Sequence, residues 1–180
     1  MVLASVIWQT FYTVIRFFSF LILAVLLAGL TGCDSTSYAY HYVPGKTALL
    51  RGGYAFAPPN APPQVQKAIE AGNRIAGLPY RWGGGHGSDV DTGYDCSGTA
   101  SFVLREAGLL HGCMVSKDFR DFGEPGEGEW INVYAKDGHV FLAVAGVRMD
   151  TGFTDGSEGP QWTTQDRPAS GCVVRHPVGL

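Results

Sequence analysis

A thiol, an imidazole and a carboxylate held in line make a nucleophile, and this chain of 180 residues has four cysteines and five histidines from which to build one. Cys96 is the candidate nucleophile. It lies in Gly93-Tyr94-Asp95-Cys96-Ser97-Gly98, directly ahead of the stretch Thr99 to Gly108. In that stretch Ala100, Val103, Leu104 and Ala107 recur at the spacing of one helical face, and Gly108 is a stop signal. The spacing therefore places Cys96 at a helix N-terminus, where unpaired N–H groups and the helix dipole favour a thiolate. Such a thiol needs a base, and the base needs an orienting partner. His139 follows Lys136-Asp137-Gly138 and opens the apolar run Val140-Phe141-Leu142-Ala143-Val144, so a core strand would hold its ring rigidly. Asp150 falls on the next strand. A hairpin between the two would bring its carboxylate to the imidazole. This is equipment for acyl transfer through a thioester. His176 is the second choice as polar partner; His86 and His111 read as loop residues, with His86 able to line a cleft.

The elements that must position these groups follow from periodicity. Gln64 to Ala76 predicts a helix with Val65, Ala68, Ile69, Gly72 and Ile75 along one side; prolines precede it and Gly77 ends it. Leu78 to Gly87 is a glycine-rich loop. It lacks the Gly-Lys-Ser/Thr of a phosphate cradle, and close backbone approach around a cleft explains its glycines better. Residues 111–129 form a loop whose Glu124, Glu127 and Glu129 read as a solvated surface. Strands are expected over Trp130–Tyr134, continuously over His139–Val147, over Val147–Phe153 and over Gly171–Arg175. Helices first and strands after them give an α+β class, N-terminal helices packed on a small antiparallel β-sheet, over residues 64–180.

The ends and the charge narrow the function. Residues 1–32 are strongly apolar, with Arg16 the one charged side chain, and lead into Leu30-Thr31-Gly32-Cys33. Small residues before a cysteine after an apolar core read as a lipoprotein signal, with Cys33 lipidated and the domain outside the cytoplasm, on the bacterial cell envelope. An uncleaved anchor and a soluble secreted form are the alternatives. Residues 33–63, proline-rich at their end, read as a tether, or as an arm docked through Tyr38, Tyr40, Tyr42, Tyr54 and Phe56. A net charge of −3 without clustered basic residues argues against nucleic acid. Cys113 and Cys172 fit either a disulfide or free thiols. No metal-ligand spacing appears, and neither metal nor cofactor is expected.

Tyr80-Arg81-Trp82-Gly83-Gly84, Tyr94-Asp95-Cys96-Ser97-Gly98 and Gly138-His139-Val140 together resemble the NlpC-type cell-wall cysteine peptidases, over residues 64–176. The resemblance implies a papain-like α+β fold and cleavage of peptidoglycan stem peptides, commonly at the D-γ-glutamyl bond to the diamino acid. It implies Cys96 as nucleophile, His139 as base and Asp150 in the third polar position, where many relatives carry histidine. Tyr80 matches a tyrosine that helps form the oxyanion site, and Asp95 and Ser97 match positions that bind the free amine of the stem peptide. A Pro-Gly-Asp-Leu turn that many relatives carry ahead of the histidine strand is replaced here by residues 130–138. A monomer working on the cell wall is expected. The rival readings are an aspartic protease built on Asp91-Thr92-Gly93 and Asp150-Thr151-Gly152, a non-catalytic wall-binding lipoprotein, and an amidase or acyltransferase using the same thiol.

Overall fold

The computed structural model describes residues 37–87, 90–152 and 156–180, all within one unit, Thr36–Leu180. Helix α1 spans Pro63–Ile75 and α2 spans Cys96–Glu106. Proline at the first position of α1 has the φ a helix needs and no N–H to leave unpaired. Val65, Ala68, Ile69, Gly72 and Ile75 form its buried face, as the periodicity requires. Helix α2 starts three residues before the apolar stretch, because the Asp95 side chain caps it by accepting from Gly98 N. It is also less one-sided than its sequence implies. All residues from Ser97 to Leu104 are buried, since α1 packs on one flank and the sheet on another.

Among the described residues there are also ten short strands: β1 Ser37–Tyr38, β2 Leu49–Arg51, β3 Tyr54–Phe56, β4 Glu124–Pro125, β5 Ile131–Lys136, β6 His139–Val144, β7 Val147–Asp150, β8 Gln161–Thr163, β9 Arg167–Pro168 and β10 Val173–His176. Six of them form an antiparallel sheet in the order β4-β10-β5-β6-β7-β8. The protein is thus a mixed α/β structure of two helices and antiparallel sheets among the described residues. The continuous apolar reading of β6 has a structural cause: both faces of the strand are covered. Val140, Leu142 and Val144 join the core that also holds Val65, Val103 and Leu104. Phe141 and Ala143 alternate to the other side, into a second cluster with Tyr38, Tyr134 and Ala169.

Two expectations need correcting here. His139–Val147 is not one strand. The chain reverses at Ala145 and Gly146, both with positive φ (44° and 71°), which makes a two-residue hairpin closed by the pair Val144 and Val147. Described residues 37–63 are not an extended tether either. β1 pairs with β9, and the Tyr38 hydroxyl donates to Gly146 O at 2.6 Å. Ala48 N donates to Ala145 O at 2.8 Å. The Asn73 side chain, on α1, clasps both Ala55 N (2.9 Å) and Ala55 O (2.8 Å). These residues are a docked arm. The lipoprotein signal and Cys33 lie outside the described residues.

Candidate active site

Each side chain of the thiol reading sits at an element terminus. Cys96 is the first residue of α2, half-buried, with Asp95 as its cap. His139 is the first residue of β6, delivered by a tight turn whose Gly138 takes φ +79°. Asp150 is the last residue of β7. The β6–β7 hairpin brings the latter two together: His139 Nε2 donates to Asp150 Oδ1 at 2.9 Å. The Cys96 side chain lies near enough to the same ring to help raise its pKa. Thiol, imidazole and carboxylate thus converge, the last two joined by a hydrogen bond, with the carboxylate side chain fully buried and the imidazole 17% exposed.

The carboxylate is held on both oxygens. Asp150 Oδ1 also accepts from Thr151 N at 2.7 Å. Oδ2 accepts from Arg167 at 2.6 Å and lies 3.5 Å from Arg148 Nε. Burial pulls the His139 pKa down, but the hydrogen bond to Asp150, the nearby Cys96 side chain and the Asp150 charge outweigh it, against the opposing charge of Arg167. The result is a histidine raised to about 9. It is poised to be an imidazolium at neutral pH, the state that stabilises a neighbouring thiolate. Tyr80 stands close enough for negative charge at Cys96, and then at Asp95, to add to burial in raising its own pKa.

The glycine-rich loop fastens to the start of α2. Tyr80 bridges Tyr94, Gly83 N donates to Asp95 Oδ2 at 2.9 Å, and Asp95 N donates to Gly84 O at 3.3 Å. A methyl group built on Gly98 would lie 1.9 Å from Gly84 O, and one on Gly84 would lie 2.2 Å from Gly93 O. Only bare backbone fits at either place. Asp95 Oδ1 accepts from Gly98 N (2.7 Å) and Ser97 Oγ (3.0 Å) and lies 3.2 Å from His86 Nε2. His86 Nε2 is also 3.2 Å from Ser97 Oγ. Asp95, Ser97 and His86 thus form one polar cluster beside Cys96.

His176, the other candidate partner, is elsewhere. Its ring lies between Gly126 O (3.1 Å) and Glu124 (3.3 Å) at the β4 edge of the sheet. The two Asp-Thr-Gly carboxylates share no partner among the described residues. Asp91 binds Arg81 at 3.0 Å and Gly85 N at 3.1 Å. Backbone hydrogen bonds from Gly85 and Thr92 hold it below the usual carboxylate range. An ionised Asp91 on a separate set of donors does not make a proton-sharing dyad. Cys113 and Cys172 are free thiols. Among the described residues no group of His, Cys, Asp and Glu is placed to hold a metal, and no helix is long and apolar enough to cross a membrane.

Arg148, Arg167 and the contacts of His86 were absent from the sequence reading. Arg148 carries a usable signal: it precedes Asp150 by two residues in a strand, so the two charges share a face in a segment that is otherwise apolar. Arg167 has none, because a two-residue strand shows no period. No family model matches the chain, and no curated protein matches it.

Proposed function

We propose that the protein is a thiol-dependent peptidase that cleaves peptidoglycan stem peptides, at the D-γ-glutamyl bond to the diamino acid. The observation that carries the reading is the His139–Asp150 hydrogen bond beside Cys96, with the thiol on the first turn of a helix. The NlpC-type resemblance supplies the substrate class, and a papain-like arrangement of helix, strand and nucleophile is part of the same proposal.

In this mechanism the Cys96 thiolate, favoured by the helix end and by the His139 imidazolium, attacks the amide carbonyl. The Cys96 N–H has no intrahelical acceptor at its position in the first turn. With the Tyr80 hydroxyl it receives the oxyanion; losing one such donor typically costs about 3 kcal/mol of transition-state stabilisation. His139 protonates the departing amine as the thioester forms. Water, deprotonated by the same ring, then releases the acyl group and restores the thiol. Asp95 and Ser97, beside the nucleophile, are the groups proposed to meet the free amine of the stem peptide.

The test is mass spectrometry of muropeptides after digestion of isolated peptidoglycan. New amino groups at the diamino acid are expected with the native chain and not with Cys96→Ala. Hydrolysis retained by Cys96→Ala removes the thiol mechanism. Wall binding without release of amino groups favours a non-catalytic lipoprotein, and release at another amide favours an amidase. Lipidation at Cys33 and residence on the bacterial cell envelope, with the domain facing the periplasm or exterior, belong to the same proposal.

A further inference from the structure

Asp150 is held by more than the histidine it orients. Oδ2 accepts from Arg167 at 2.6 Å, and the same guanidinium nitrogen donates to Thr151 O at 3.3 Å. Arg148 approaches Oδ2 from β7 itself, at 3.5 Å. The two arginines are not equivalent. Arg148 is 3% exposed at its side chain and stacks over the Phe141 ring at 5.8 Å. Arg167 is 24% exposed, and its strand has a single partner in the fold: β9 pairs with β1, with Tyr38 opposite Arg167. Tyr38 in turn packs edge-on against Tyr134 and Phe141, and the Phe141 ring lies 6.3 Å from that of His139. A carboxylate tied at one oxygen can pivot about its last bond. Tied at both, it keeps Oδ1 on the imidazole.

We propose that Arg167 is a positioning residue of the site: clamped to Asp150 Oδ2 and held in place by the N-terminal strand β1, it keeps Oδ1 turned to His139 and so maintains the thiol–imidazole pair. The proposal rests on reading Cys96, His139 and Asp150 as a thiol site. The charged and titratable groups around His139 are Cys96 from α2, Asp150 and Arg148 from β7, Arg167 from β9, Lys136 opposite it in the β5–β6 register, and Cys172, which interacts with Lys136, Arg167 and Asp150. Asp166 and Tyr38 act on Arg148 at longer range. Among these Arg167 has two opposed effects. Its charge disfavours the imidazolium, while its clamp favours it through Asp150. Removing the charge alone would raise the histidine's proton affinity; removing the clamp lowers it. The direction of the change therefore separates a positioning role from a bystander charge.

The experiment uses the full chain in mild detergent, native and as Arg167→Met and Arg167→Lys, each confirmed folded by circular dichroism. Histidine-labelled NMR follows His139 through a pH titration, and mass spectrometry quantifies iodoacetamide labelling of the Cys96 peptide at pH 6. Neither readout needs a peptidase substrate. In Arg167→Met the His139 titration is expected to fall by about one pH unit; Arg167→Lys recovers part of it. A His139 titration that rises or stays fixed in Arg167→Met overturns the positioning role and leaves the thiol site standing. Native Cys96 that labels at pH 6 no faster than a free thiol overturns the site and this proposal together.

Discussion

Stability should fall as the solution becomes alkaline, and His139 should be the cause. In the folded chain its pKa is raised from the ordinary 6.5 to about 9. A group whose proton is held more tightly in the folded state stabilises that state fully below its unfolded pKa. The contribution is lost as pH rises from 6.5 through about 9. The difference, at about 1.4 kcal/mol for each pH unit, is on the order of 3 kcal/mol. That is a visible fraction of the roughly 5–15 kcal/mol that holds a typical domain together. The measurement is urea unfolding followed by tryptophan fluorescence at intervals from pH 6 to pH 10, on the native chain and on His139→Ala. Tyrosines and the other thiols titrate in both proteins, so the difference between the curves isolates the imidazole and its partners. The native curve should descend across the window more steeply than the His139→Ala curve. Two parallel curves would mean that the proton on His139 is not tied to folding, and the reasoning from the Asp150 hydrogen bond would fail.

Three other outcomes are expected. Asp150→Asn should cost about 3–5 kcal/mol in urea unfolding as well as most of the turnover, because it leaves Arg148 and Arg167 facing a neutral amide in a buried site; an unfolding midpoint equal to native would show that the arginines do not depend on the carboxylate. Gly98→Ala should destabilise by more than about 3 kcal/mol, since the new methyl group meets Gly84 O at 1.9 Å with backbone on both sides; a native-like melting curve would show that the loop yields. Cys33→Ser should abolish incorporation of labelled palmitate and release the protein from the membrane fraction, and unchanged retention would support an uncleaved anchor instead.

The site was more legible in the sequence than the body that carries it. Cys96 stands out because a cap, a thiol and an apolar period follow closely on one another, and His139 because a glycine turn leads directly into a buried strand. Their joining to Asp150 followed from hairpin geometry, the shortest-range tertiary contact there is. What escaped was non-local. The pairing of Tyr38 with Arg167 links chain positions far apart through strands of two residues each, and nothing in either segment marks the other. The resemblance implies an amine-binding Asp95, whereas its oxygens also cap α2 and hold Gly83 and His86. The break at Ala145 was hidden because alanine rarely takes positive φ, and here the pair Val144–Val147 and the bond from Ala48 enforce it.

The docked arm also sets the reach of the molecule. Ser37 is already stitched to the sheet through β1, and only Asp34, Ser35 and Thr36 separate it from Cys33. Fully stretched, a span of that size covers about 14 Å. With a lipid on Cys33 such a leash is too short to let the domain patrol the wall. A wall peptidase of the kind proposed, so leashed, would work pressed against the bilayer, on whatever strand of polymer comes down to it.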